Sequence, residues 1–300
     1  MNKTFALAIH GGAGTLAKEN MTTDQRREHE AALEHALSTG IAILQKGGNS
    51  LDAVEAAVIS LEDCPLFNAG KGSVFTRKGD HEMDAAIMDG RTLKAGAIGG
   101  ITRIKNPIRL ARTVMDQGEY AFLAGEKALQ LALDYRLPLE DPTYFYTSMR
   151  YAQWQQLQTT PAKEKGFGTV GAVAMDHNGH LAAATSTGGL VNKAYGRLGD
   201  SCVIGGGTYA NNATCAISCT GDGEAFIRAV AAYDVSCLIE YSQMPLEDAC
   251  QKVLNKVASL GGAGGLIAIH RSGGIVMPFN SEGMYRACRD TSGHITVGIF

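Results

Sequence analysis

Apolar runs of strand length stand at both ends of each half of this 300-residue chain, with helical patterns in pairs between them. In the first half, Thr4 to His10 reads as a buried strand running into Gly11-Gly12-Ala13-Gly14. Thr22 and Gln25 form a capping box, Leu33, Leu37, Ile41 and Leu44 follow at helical spacing, and Gly47-Gly48 stops the run. A second helix opens at Asn49/Ser50 with Val54, Ala57, Val58 and Leu61 on one face, ends by Pro65, and gives way to the loop Leu66–Gly70. Strands are predicted at 73–76, 83–88 and 95–101, and helices at 107–115, 121–135 and 144–157. In the second half, strands are predicted at 169–175, 181–186 and 213–219, helices at 224–241 and 245–260, and strands at 266–270, 275–279 and 295–300. That order predicts two packed sheets with helices outside, not a regular β-α-β alternation.

The halves meet at a polar stretch, Thr159 to Gly168, which reads as an exposed linker. The first 168 residues carry 39 charged side chains and the remaining 132 carry 18, so the second part should be the more buried. Glycine is high, at 37 residues, while proline stays at seven, which fits tight turns and close backbone approaches better than low complexity. A net charge of −3 offers no basic footprint for nucleic acid or an anionic membrane. No apolar run approaches a membrane span. Seven cysteines without a CxxC pair, and an apolar run (Phe5–Ile9) too short for a signal-peptide core, lead us to expect a cytoplasmic protein in a reducing compartment.

Several motifs fail on context. Gly12-x-Gly14-x-x-Ala17 has the form of a dinucleotide fingerprint, but the acidic residue about 20 positions on falls inside an amphipathic helix. The eight histidines are scattered without ligand spacing, and no Gly-x-Ser-x-Gly elbow is present. Asp80, Glu82, Asp84 and Asp89 read as solvated or turn-forming.

One stretch points to chemistry. Thr169 opens the buried run Val170–Met175 directly after the linker, and Asp176-His177-Asn178-Gly179 is a hairpin turn signal. A loop centred on Asn178 sets Thr169 opposite Thr187, within one residue, beside Gly188-Gly189. Further on, Cys219-Thr220-Gly221-Asp222-Gly223-Glu224 ends a strand and starts a helix, where backbone N–H groups are unpaired. On spacing alone this second stretch reads as a glycine turn.

Together these residues resemble the plant-type L-asparaginase and isoaspartyl peptidase family of N-terminal nucleophile hydrolases. The likeness runs end to end: His10-Gly-Gly-Ala-Gly14, Cys64-Pro-Leu-Phe-Asn-Ala-Gly70, Met83-Asp-Ala85, Leu93-Lys-Ala-Gly-Ala97, Gly168-Thr-Val-Gly-Ala-Val-Ala174, Ala184-Thr-Ser-Thr-Gly-Gly189, Gly196-Arg-Leu-Gly-Asp200, Tyr209-Ala-Asn-Asn212 and Thr220-Gly-Asp-Gly-Glu224. The linker before Thr169 is the departure, being short.

The resemblance implies an α+β fold, a four-layer αββα sandwich, forming one hydrolase domain that cuts itself into 1–168 and 169–300. The cut falls at Gly168–Thr169, and the freed amine of Thr169 then activates its hydroxyl. It further implies that Thr187 tunes Thr169, that Thr220 and the Gly221 N–H hold the oxyanion, and that Arg197 binds the substrate α-carboxylate. Asp200 and the Gly223 carbonyl would take the α-ammonium, and Asn68 would support the nucleophile. Backbone carbonyls of Leu61, Glu62, Cys64, Phe67, Ala69 and Lys71 would hold a structural sodium ion, with no cofactor for catalysis. The implied activity is release of β-linked aspartyl residues from dipeptides and hydrolysis of L-asparagine, by a homodimer of processed protomers. Within the superfamily the alternatives are a glycosylasparaginase, against which the missing signal peptide argues, and a taspase-like endopeptidase, for which extra length is lacking. An inactive binding module of the same fold would not be expected to keep Thr169, Thr187, Arg197, Asp200 and Thr220 together.

Overall fold

A computed structural model of the chain describes residues 4–14, 19, 21–159, 168–194 and 196–300. The predicted linker lies almost wholly outside these residues.

The first half contributes β1 (Ala6–Gly14), α1 (Thr23–Gln45), α2 (Ser50–Glu62), β2 (Met83–Asp89), β3 (Ala95–Ile101), α3 (Pro107–Gln117), β4 (Phe122–Ala124), α4 (Ala128–Asp134) and α5 (Ser148–Thr159). The second contributes β5 (Val170–Met175), β6 (Leu181–Thr187), β7 (Thr208–Ala210), β8 (Cys215–Gly221), α6 (Gly223–Ala229), α7 (Ala231–Ser242) and α8 (Leu246–Ser259). Strands β9 (Gly264–His270), β10 (Ile275–Val276), β11 (Gly283–Arg289) and β12 (Ile295–Gly298) follow. Among the described residues the strands form an eight-stranded sheet, β12-β11-β1-β5-β6-β2-β3-β4, and a four-stranded sheet, β10-β9-β8-β7. No described helix is long and apolar enough to cross a membrane.

Strand alternation builds the layers. On the large sheet, Leu7, Ile9, Val170, Ala172, Ala182 and Ala184 face α1–α3 and pack on Leu33, Leu37, Val54, Leu61 and Ile108. The opposite face of the same strands presents Ala6, Ala8, Val173, Met175, Leu181 and Ala183 to Ala216, Ile267 and Ile269 of the small sheet. Ile217, Cys219, Leu266 and Ala268 then face Phe226, Val235, Val253 and Leu254 of α6–α8. The result is the αββα sandwich.

Several predicted elements need correction. Residues 73–76 are not a strand: Val74 N–H donates to Asn68 Oδ1 and the Ser73 carbonyl accepts from His81, so side chains take the groups a ladder would use. The helix predicted over 121–135 is split, because 122–124 pairs in parallel with β3 before Gly125 turns the chain at φ 70°. The one predicted over 224–241 is two helices, broken at Val230 in the left-handed region. The helix predicted from 144 begins at 148, and the 275–279 strand shortens to two residues ahead of Pro278. Strands β7 and β11 were not predicted. Asp84 is fully buried, not solvated, while Asp89 does form a turn, accepting from Arg91 N–H and Thr92 Oγ1.

Candidate functional site

The layer between the sheets is apolar at one end and polar at the other. Along β1, β5, β6 and β8 the facing residues change from Ala6, Val173, Ala183 and Ala216 to His10, Gly171, Thr185 and Ser218, and then to Thr169, Thr187 and Thr220. The predicted hairpin register holds: Val170 pairs with Ser186, which sets Thr169 opposite Thr187. The two hydroxyls meet at 3.2 Å, with Thr169 donating to Thr187. Both residues are buried.

Thr187 Oγ1 in turn donates to the Gly168 carbonyl at 3.0 Å and accepts from Gly189 N–H at 2.9 Å. Asn68 supplies a second donor to the same carbonyl, Nδ2 to O at 2.8 Å, and also reaches the Gly189 carbonyl at 2.7 Å. Its Oδ1 and backbone carbonyl accept from Val74 and Gly188 N–H at 3.0 Å each, so the amide cannot turn over. The peptide carbonyl before Thr169 therefore has two donors aimed at it and a hydroxyl beside it. Gly12, at φ 113°, permits this approach: a Cβ there would lie 2.9 Å from Gly168 Cα.

The cleft over Thr169 and Thr187 is also lined by Arg197, Asp200 and Gly221. Arg197 gives its Nε and Nη2 to Glu224, at 2.9 Å each, while a Cβ on Gly199 would lie 3.0 Å from Nη1. Burial pulls the guanidinium's pKa down, but Glu224 together with Asp200 and Asp84 more than reverses this, and Arg197 stays charged. Asp200 sits beneath, its Oδ2 without a hydrogen-bond partner among the described residues. Burial pushes the Asp200 pKa up to about 7, against the pull of its own backbone N–H and of Arg197. Gly223 fits against both groups, since a Cβ would stand 2.9 Å from Arg197 Nη2 and 3.0 Å from Asp200 Oδ1. Thr220 is buried and accepts from Ala13 N–H at 3.1 Å, which leaves its hydroxyl proton available to donate.

The loop after α2 folds back on the end of that helix. Gly70 has φ 50°, and a Cβ there would meet the Glu62 carbonyl at 2.5 Å. The loop thus lies against the C-terminal end of α2, where the helix dipole is negative. Within it, Leu61, Phe67 and Ala69 carbonyls also accept backbone N–H groups at 3.3, 3.0 and 3.1 Å.

Four contributors went unassigned in the sequence. His10 donates to the Thr169 carbonyl at 2.8 Å, Glu224 holds Arg197, and Asp84 accepts from Gly100 N–H at 2.8 Å near Lys193. His10 was visible as the head of the first glycine cluster, and Glu224 as the end of the last. Asp84 stood in the motif Met83-Asp-Ala85 but read as solvated, since a charge in a strand pattern reads as exposed, and Lys193 lay outside every motif.

The family model Asparaginase_2, described as asparaginase, matches residues 3–299. The chain is 47% identical to an isoaspartyl peptidase of Escherichia coli (strain K12), over 98% of this chain and 95% of that one. It is 43% identical to a putative isoaspartyl peptidase/L-asparaginase of Dictyostelium discoideum, over 95% and 93%. It is 39% identical to an isoaspartyl peptidase/L-asparaginase of Mus musculus, over 94% and 86%. The chain belongs to the Asparaginase_2 family of N-terminal nucleophile hydrolases.

Proposed function

We propose that this chain is a threonine hydrolase that cuts itself between Gly168 and Thr169, then removes β-linked aspartyl residues from isoaspartyl dipeptides and hydrolyses L-asparagine to L-aspartate and ammonia. The observation that carries the reading is the Thr169 hydroxyl on Thr187, beside a Gly168 carbonyl held by Thr187 Oγ1 and Asn68 Nδ2.

In the first reaction, Thr169 Oγ1 attacks the Gly168 carbonyl carbon while its proton moves to Thr187 Oγ1 and Thr187 hands its own proton to the carbonyl oxygen, giving a neutral tetrahedral adduct. As the adduct collapses, that proton passes to the residue 169 nitrogen and the C–N bond breaks. This leaves an ester of Gly168 on Thr169 Oγ1 and a free Thr169 amine, and water hydrolyses the ester to a Gly168 carboxylate and the Thr169 hydroxyl. The new α-amine, with an ordinary pKa of about 7.7–8.0, serves as the base a lone threonine lacks. In the second reaction, the same hydroxyl attacks the β-carbonyl of the substrate, and Thr220 and the Gly221 N–H hold the oxyanion. Loss of one such donor costs about 10²–10³ in rate. The amine leaves with a proton, and water frees L-aspartate from the ester.

Arg197 Nη1 receives the α-carboxylate, and Asp200 with the Gly223 carbonyl receives the α-ammonium. The partnerless Asp200 Oδ2 supports this assignment, because a buried acceptor costs free energy until something donates to it. Carbonyls of Leu61, Glu62, Cys64, Phe67, Ala69 and Lys71 would hold a sodium ion, which would fix the loop bearing Asn68. The active form is a dimer of processed protomers.

The test is a substrate panel on wild-type and Thr169→Ala protein. Wild type should hydrolyse a β-aspartyl dipeptide and L-asparagine and leave glycosylated asparagine intact, while Thr169→Ala should be inert. Full turnover by Thr169→Ala, or turnover of glycosylated asparagine alone, would overturn the assignment.

A further inference from the structure

A buried chain of hydrogen bonds runs from residue 169 into the layer between the sheets. His10 Nδ1 lies 2.8 Å from the Thr169 carbonyl, and Nε2 lies 2.8 Å from Ser218 Oγ. Ser218 Oγ is 2.7 Å from Thr185 Oγ1, which is 2.6 Å from Thr208 Oγ1. All five residues are buried, and the four hydroxyl and imidazole groups come from four strands, two in each sheet.

The directions of these bonds are fixed by chemistry. A carbonyl only accepts, so Nδ1 carries the proton. The ring is wholly buried with no carboxylate partner among the described residues, and burial lowers its pKa to about 3 despite the Thr169 carbonyl. It is therefore neutral, and Nε2 must accept from Ser218. Ser218 then accepts from Thr185, and the one proton of Thr208 goes either to Thr185 Oγ1 at 2.6 Å or to the Ser201 carbonyl at 3.0 Å. Bonds aligned head to tail polarise one another, which strengthens the last donor, Nδ1–H.

Room for this chain is built into the main chain. His10 pairs with Gly171 across β1 and β5, and a Cβ at Gly171 would fall on Ser218 Oγ and His10 Nε2. The β1–β5 ladder also ends at that pair, just before Thr169, and β1 bulges between His10 and Gly12. Where backbone pairing stops, the imidazole takes its place.

We propose that His10, held as its Nδ1–H tautomer by Ser218, is the positioning residue that clamps the Thr169 carbonyl and keeps the Thr169 hydroxyl on Thr187 once residue 169 is a chain end. The inference rests on Thr169 being the nucleophile. A chain end freed from Gly168 loses its covalent anchor on one side, and ends not tied down fray. Displacement of a reacting group by 1 Å costs about 10²-fold in rate.

Two histidine replacements separate the arms. The amide of His10→Asn can sit where Nδ1 sits and keep a donor to the Thr169 carbonyl, while that of His10→Gln reaches the Ser218 side and loses it. In the cleaved enzyme, His10→Gln should lower kcat by about 10²-fold with KM within about twofold, and His10→Asn should recover most of kcat. Equal loss in both variants, or unchanged kcat in His10→Gln, would overturn the clamp. Should either variant fail to mature, nitrogen-15 NMR of histidine-labelled wild-type enzyme decides. His10 should show a protonated Nδ1 and a bare Nε2, unchanged from about pH 5 to 8, where free histidine titrates. A proton on Nε2, or titration in that window, would refute the proposal. Activity in Thr169→Ala would instead remove the nucleophile reading, whatever His10 does.

Discussion

Arg197 has a carboxylate on one edge and the cleft on the other. Glu224 occupies Nε and Nη2, so the guanidinium plane is set before any substrate arrives. Removing one partner of a charge-assisted contact costs about 2–5 kcal/mol, because the other charge stays unpaired. Arg197→Ala should therefore raise KM for β-aspartyl dipeptides at least about 30-fold while self-cleavage proceeds. A matured Arg197→Ala with unchanged KM would remove Arg197 from the clamp. Asp200 gives a pH dependence of definite sign. Burial lifts its pKa to about 7, so in the empty site the carboxyl is protonated below that value and ionised above it. An ammonium binds only the ionised form. Affinity for L-aspartate, measured by calorimetry, should rise as pH climbs through 7 and level off above, and Asp200→Asn should abolish that rise. A flat profile in wild type would place the ammonium elsewhere.

At the scale of elements, the β5–β6 hairpin was legible because a turn signal and period-2 alternation fix register together. That one pairing brought Thr169 and Thr187 together without any structure. The capping box at Thr22 was equally local and is present, with Gln25 N–H on Thr22 Oγ1 and Gln25 Oε1 on Thr22 N–H. Strand β11 was not legible, because Arg286 and Arg289 interrupt its apolar pattern; their guanidinium groups lie over Phe279 and Phe5. The break at Val230 was hidden for the opposite reason, since a β-branched residue at φ 52° is one that local preference would never assign. Arg197, Asp200 and Thr220 could be placed from sequence only by resemblance, because their meeting depends on how two sheets stack. The loop after α2 is a similar case, as carbonyl ligands leave no side-chain pattern. If that loop holds sodium, replacing sodium chloride by choline chloride at equal ionic strength should lower Tm, since an ion bound only by the folded state stabilises it. An unchanged Tm would argue that the loop's own N–H bonds suffice.

At the scale of the molecule, the proposed cut does not divide the fold into two bodies. Strand β1, from the first 168 residues, lies between β11 and β5 of the remainder, and β2 lies against β6. Scission of one peptide bond leaves every one of these ladders intact, so the fragments hold together by the sheet itself. If the chain is cut as proposed, the same interleaving would let a precursor fold fully before it is competent: the site is assembled around Gly168 and Thr169, and what it would lack is a free amine. Activity should accordingly appear with the cut and not with folding. The most direct measurement follows intact mass and hydrolysis of a β-aspartyl dipeptide in the same samples during maturation. The account predicts fragments of 168 and 132 residues, the second beginning at Thr169, with activity proportional to the cleaved fraction. Full activity in a single uncut chain would contradict it.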